Sequence, residues 1–391
     1  MYQVKIIDNF DLSTVDDHLL TASETASPDV ILVRSSQVPD RLITPRLLLI
    51  ARSGIGTNTI NLAASTTNGT AVFNTPGANA NAVKELIIQC LFQAVRPLSQ
   101  AIRETAKLTA DPLQPAAEQQ RQAFIGSELY GKTIGIIGLG TIGQRLADTC
   151  YHLGLQVVGY NRSPKNLQHV RQVANIAEVL TQADFVVLLL PLTTETSRII
   201  DGPKLALMRP SATLLNFGRG ELVDNSAVVQ AVQDRRLKAY ITDFPHRDLQ
   251  NIPHIWQLPH LGGNTREALS HSTNLTFQNT QDFLTAGTVR ASVNFPTADL
   301  PFASPDRLTL FFKDRPGFWA EVDSLLTQNH IPVEEMVVNT RDSVGYILMN
   351  TTLSLAQRQH WTTLRQALMA VSGMIRVRLL ANASAPFSPS I

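Results

Sequence analysis

The segment Gly138-Leu139-Gly140-Thr141-Ile142-Gly143 constrains this chain most, because of what stands on either side of it. Before it, Thr133-Ile134-Gly135-Ile136-Ile137 is a short apolar run of the kind that forms buried parallel strands. After it, Ile142, Leu146, Cys150 and Leu153 recur at helical spacing. A glycine turn between a strand and a helix is a seat for a pyrophosphate. The first glycine permits the tight turn, the second lets backbone approach the phosphates, and the third lets helix and strand pack closely. The helix start then meets the negative charge with free N–H groups. Gly138, Gly140, Thr141, Ile142 and Gly143 are therefore expected to hold a dinucleotide.

A chain of 391 residues is long for one domain, at about 100–200 residues each. The strand-like runs at 2–7, 30–34, 47–51 and 70–73 predict a small α/β domain over 1–95. A helical region follows over 82–108, broken near Pro97, and the two prolines within 111–118 predict a loop. From Gly131 strands and helices alternate again, with strands at 155–160, 184–190, 212–217, 238–242 and 254–258. Alternation of this kind implies a doubly wound parallel sheet with right-handed crossovers. Residues 96–280 are expected to form this dinucleotide domain, and 281–300 to return and complete the first. Three prolines within 294–305 read as a linker. Beyond it, strand and helix patterns in the order βαββαβ predict a separate domain over 305–391.

Composition narrows the partners. The formal net charge of +1, with Lys and Arg scattered, gives nucleic acid or an acidic membrane nothing to hold. The 1–10 run is strand-like rather than a signal peptide, and no apolar run approaches the length of a membrane span. Cys90 and Cys150 both sit in apolar patterns, with no disulfide or metal spacing, which fits a reducing cytoplasm. No metal site is expected.

In a doubly wound sheet, ligands lie beyond the carboxyl ends of the strands. Three turns there carry candidate chemistry. Arg219 stands between Gly218 and Gly220, where its guanidinium reaches open space and could clamp a carboxylate. Asp243 and Asp248 follow the next strand, and His260 the one after. An imidazole facing a substrate hydroxyl can exchange its proton, and a neighbouring acid favours the charged ring.

These segments together resemble the D-isomer-specific 2-hydroxyacid dehydrogenases. The matching stretches are the glycine turn, Leu188-Leu189-Leu190-Pro191-Leu192-Thr193, 216–224, Asp243-Phe244-Pro245 and Pro259-His260-Leu261-Gly262, and likeness extends over nearly the whole chain. The resemblance implies a Rossmann sheet, a smaller flavodoxin-like substrate domain and a C-terminal ACT-like regulatory domain. It implies His260 as acid/base, Asp248 as its acid partner, Arg219 on the carboxylate, and Pro191 and Asp243 at the cofactor. The family has Glu where this chain has Asp248, with a longer stretch before the histidine. A phosphorylated 2-hydroxy acid needs further cations and polar groups; Arg34, Arg52, Ser53, Gly54 and Asn79 are the candidates.

Two features depart from the family pattern. An acid about 20 residues past the glycine turn would hold the ribose hydroxyls, but Asn161-Arg162 stands there, so NADP is possible beside NAD. Serine-inhibited relatives use a histidine and asparagines in the ACT module; here the turn is Phe312-Lys313-Asp314-Arg315-Pro316-Gly317 and the later position is Pro332. Another small effector, or subunit contact alone, is the alternative use of the module. The resemblance further implies a homodimer or homotetramer. The rival readings are an NADP-dependent reductase of glyoxylate or hydroxypyruvate and a nucleotide-sensing protein without turnover.

Overall fold

The computed structural model describes residues 1–8, 10 and 19–382; the last nine residues of the expected 305–391 domain lie outside the described residues. The chain divides into two compact units, Met1–Ala78 with Leu269–Ile391, and Asn79–Ala268.

The first unit is built on a parallel sheet of β1 (Tyr2–Ile6), β2 (Leu20–Ala22), β3 (Val30–Val33), β4 (Leu49–Arg52) and β5 (Ala71–Phe73), ordered β2-β1-β3-β4-β5. This is the flavodoxin-like order expected. All of β3 is buried, as its unbroken apolar sequence requires. Residues 289–298 return to the edge beside β5, where the Asn294 side chain accepts from Val72 N and donates to Thr70 O.

The second unit carries seven parallel strands: β6 (Thr133–Ile137), β7 (Gln156–Tyr160), β8 (Arg171–Gln172), β9 (Phe185–Leu188), β10 (Thr213–Asn216), β11 (Ala239–Thr242) and β12 (Ile255–Gln257). Their order, β12-β11-β10-β9-β6-β7-β8, is the Rossmann arrangement, and its direction reverses between β6 and β9. The helix Ala80–Val95, expected with the first domain, belongs to this unit instead. Its Ile87, Cys90 and Leu91 share one core with Leu146 and Cys150 of the helix Thr141–His152. As expected, the helical region breaks at Pro97, with Leu98–Thr105 following. The loop expected over 111–118 is a helix, Leu113–Gln120. Pro112 stands at its N-cap and Pro115 in its first turn, where a missing N–H costs no hydrogen bond.

The C-terminal part is an antiparallel sheet of β13 (Asp306–Lys313), β14 (Glu335–Arg341), β15 (Val344–Thr351) and β16 (Met374–Ala381), ordered β14-β15-β13-β16. With the helices Phe318–Gln328 and Trp361–Ala370 it makes the expected βαββαβ sequence. Leu308, Leu310 and Phe312 face those helices. On the other face Phe311 packs edge-on against Phe295, ring centroids 4.6 Å apart, within a core that includes Phe73 and Phe283 of the first unit. Three buried arginines line the same seam. Arg307 donates to Ala286 O, Arg378 to Phe283 O and Leu284 O, and Arg376 to Asn68 O and Pro45 O. Phe283, Leu284 and Ala286 end the helix Arg266–Ala286, and Asn68 ends Leu62–Asn68. Cations thus meet carbonyls in the last turns of two helices. Burial, with Arg378 and Arg365 nearby, brings Arg376 down to about 10, still charged at neutral pH. No described helix is long and apolar enough to cross a membrane.

Candidate active site

The glycine turn has the shape a pyrophosphate requires. A Cβ on Gly138 would stand 2.8 Å from Leu189 O, and one on Gly143 would stand 2.1 Å from Gly138 O. Neither position admits a side chain. On the Cβ side of Gly140, by contrast, nothing lies within 4 Å. Gly140 is also the N-cap of Thr141–His152, with no side-chain cap, so the first-turn N–H groups of Thr141, Ile142 and Gly143 face that space without an intrahelical acceptor. These residues fit a dinucleotide.

At the end of β7, Asn161 turns its Oδ1 onto Leu139 N at 3.1 Å and its amide donates to Ser163 O. The amide braces the glycine loop in place of offering a carboxylate to a ribose. Arg162 is exposed, and its charge helps to hold the Glu195 carboxyl low, after the Thr193 hydroxyl bond. Pro191 is also exposed, and its carbonyl accepts from Thr196 Oγ1.

Beyond β10, β11 and β12 the candidate catalytic groups gather around one ring. Asn216, fully buried, accepts from Gly218 N and donates to Arg219 O, which fixes the turn that presents Arg219. Gly218 could carry no side chain, since a Cβ would stand 2.6 Å from Leu190 O. The Arg219 guanidinium lies 6.0 Å from the centroid of the Phe244 ring, and the His260 ring lies 5.0 Å from the same centroid. Phe244 therefore holds the cation and the imidazole as neighbours. The motif Asp243-Phe244-Pro245 signals its place in the sequence, but the residue types of acid/base chemistry drew attention past it.

Asp243 is buried and accepts from Leu261 N at 2.7 Å and Gly262 N at 2.8 Å. Burial raises its pKa, against those two bonds and the nearby His260. Asp248 departs from expectation. Its carboxylate lies 3.5 Å from His246 Nδ1 and is exposed, and among the described residues it forms no ion pair with His260. The short turn Arg247–Leu249 carries it onto the preceding histidine.

Asn79 caps the helix Ala80–Val95 without using its side chain. Its Oδ1 is buried without a hydrogen-bond partner, and its Nδ2 lies 2.8 Å from where a Cβ of Gly263 would stand. Asn79 thus brings a buried amide oxygen without a partner close to Gly263, three residues past His260.

In the first unit, Arg34 follows β3 and Arg52 ends β4, where Arg52 Nε donates to Arg34 O. The Ser53 hydroxyl is buried and donates to Ser272 Oγ, which in turn bonds Thr75 Oγ1. Gly54 N donates to the same Thr75 oxygen, with φ at +142°, a value that favours glycine. Ser53 thus serves the unit's internal network through its side chain.

The profile described as "D-isomer specific 2-hydroxyacid dehydrogenase, NAD binding domain" matches residues 88–262. Most of the second unit thus matches the NAD-binding domain of this dehydrogenase family, and the likeness extends to curated relatives. Among these, the chain is 33% identical to D-3-phosphoglycerate dehydrogenase of Methanocaldococcus jannaschii over 68% of this chain and 52% of that protein. The match thus spans about half the length of that relative. It is 28% identical to D-3-phosphoglycerate dehydrogenase of Haemophilus influenzae, over 86% of this chain and 82% of that one. Its fold matches an NADPH-dependent glyoxylate/hydroxypyruvate reductase from Sinorhizobium meliloti, with a TM-score of 0.64 and 21% identity over 74% of this chain and 97% of that one.

Proposed function

We propose that the chain oxidises 3-phospho-D-glycerate to 3-phosphohydroxypyruvate with reduction of NAD or NADP, the entry to serine synthesis. The observation that carries the reading is the Phe244 ring with Arg219 and His260 both against it, beside a glycine turn open for a dinucleotide. The bound nicotinamide supplies the hydride acceptor. His260 takes the hydroxyl proton as the carbonyl forms. Arg219 holds the carboxylate and offsets charge on the developing carbonyl. Asn79 orients the substrate, and Arg34 and Arg52 supply cations for a phosphate. Relatives named D-3-phosphoglycerate dehydrogenase support the substrate class. Two buried free thiols suit a reducing cytoplasm. A second copy of the chain is the expected partner, since the helix Leu98–Thr105 buries none of its residues here.

A substrate and cofactor panel on purified protein, read by absorbance of the reduced nicotinamide, tests the proposal. Turnover should fall at least about 100-fold when the phosphate is removed, and His260→Gln should lower it by about 100- to 10,000-fold. One observation favours a second reading: Asn161 offers no carboxylate and Arg162 is exposed, as a 2′-phosphate would suit. An NADPH-dependent preference for glyoxylate or hydroxypyruvate in the same panel would establish that reading and displace the first.

A further inference from the structure

We infer that Asp243, not Asp248, is the positioning carboxylate of His260. The inference rests on reading His260 as the acid/base group.

His260 holds φ at +57°, left-handed backbone that a residue with a Cβ adopts only where its surroundings over-determine it. The two peptide groups that follow are both tied to Asp243. Leu261 N donates to Oδ1 and Gly262 N to Oδ2, at 2.7 and 2.8 Å. Two N–H donors on two oxygens are the full fit of an ionised carboxylate. Gly262 makes the approach possible, because a Cβ there would stand 2.8 Å from Oδ2. Asp243 is itself anchored to the sheet, its N–H donating to Asn216 O at the end of β10. The next residue, Phe244, meets the imidazole ring. A dipeptide at the end of one strand therefore sets the backbone, the ring position and the local charge of His260 together.

Arg219 lies against Phe244, and Cys90 faces Asp243 from the helix Ala80–Val95. Burial, with Asp243 nearby, pushes the Cys90 thiol up to about 12, so it stays neutral. Asp243 is thus the carboxylate tied to the backbone that carries His260. Asp248 lies exposed beside His246 instead.

The test compares parent, Asp243→Asn and Asp248→Asn in kcat/KM against pH, with thermal melts to verify folding. Asp243→Asn should lower kcat/KM by about 100-fold and move the acid limb to lower pH, because a lost negative charge disfavours the protonated ring. Asp248→Asn should leave that limb in place. NMR of ¹⁵N-histidine-labelled protein follows the ring without turnover, with His260 identified by its loss in His260→Gln. Its titration should move in Asp243→Asn and not in Asp248→Asn. An unmoved limb and resonance in Asp243→Asn overturn the inference, as does a limb moved by Asp248→Asn. Where Asp243→Asn does not fold, the Asp248→Asn profile decides: in place it upholds the inference, displaced it overturns it. Retained turnover in His260→Gln would instead sink the functional reading, and the resonance alone then judges the coupling.

Discussion

At the scale of single residues, the chemistry depends on shape as much as on charge. Arg219 presents a planar fork that pairs with both carboxylate oxygens, whereas an ammonium gives one point of contact. Arg219→Lys should therefore cost about 100-fold in kcat/KM for the hydroxy acid while leaving dinucleotide binding intact, measured by steady-state kinetics and by quenching of protein fluorescence. Arg219 and His260 were legible in the sequence because each follows a small or rigid residue, Gly218 or Pro259, just past an apolar run. The partner of His260 was not. Asp248 offered the right residue type near the right place, but four residues between Asp243 and Asp248 leave a turn too short to show which histidine it meets. Asp243 acts through backbone N–H groups of Leu261 and Gly262, and contacts made to main chain leave no trace in residue identity.

At the scale of elements, glycines and prolines decide where helices start. Gly143 has no room for even a methyl group, since a Cβ would lie 2.1 Å from the backbone oxygen of Gly138. Gly143→Ala should cost about 1–3 kcal/mol of stability through overpacking, and weaken NADH binding because the turn must shift. Melting curves with and without NADH separate the two effects. Strand–helix alternation made the seven-stranded sheet readable, as its central strands are short, largely apolar and buried. The helix Leu113–Gln120 was hidden by its prolines, which mark a loop only when they fall beyond the first turn. The boundary near 95 misled for another reason. Apolar spacing reveals that Ala80–Val95 buries a face, but not that the face meets Leu146 and Cys150.

At the scale of the whole molecule, β13 and β15 of the four-stranded sheet are covered on both faces, and one face is joined to its neighbours by arginines. Alternation along Ile375-Arg376-Val377-Arg378 reads as an apolar face and a solvated one. The structure buries both, because Arg376 and Arg378 end on backbone carbonyls rather than in water. Arg378→Met should remove the guanidinium from Phe283 O and Leu284 O, which then keep only Gly287 N and the Tyr2 hydroxyl at 3.5 Å, and cost about 1–3 kcal/mol. For a unit of this size that is about 2–4 °C of Tm per kcal/mol, read by calorimetry, and Arg365→Met, at an exposed position, should change little. Every amino acid brings the same oxygen to such a contact. Substitutions at positions 68, 284 or 286 can drift without any matching change at 307, 376 or 378, whereas Phe283 also meets Arg378 through its ring, 4.5 Å from the guanidinium. A search for co-evolving pairs would pass over most of this join, since at every contact but the Phe283 ring only one side is spelled in side chains.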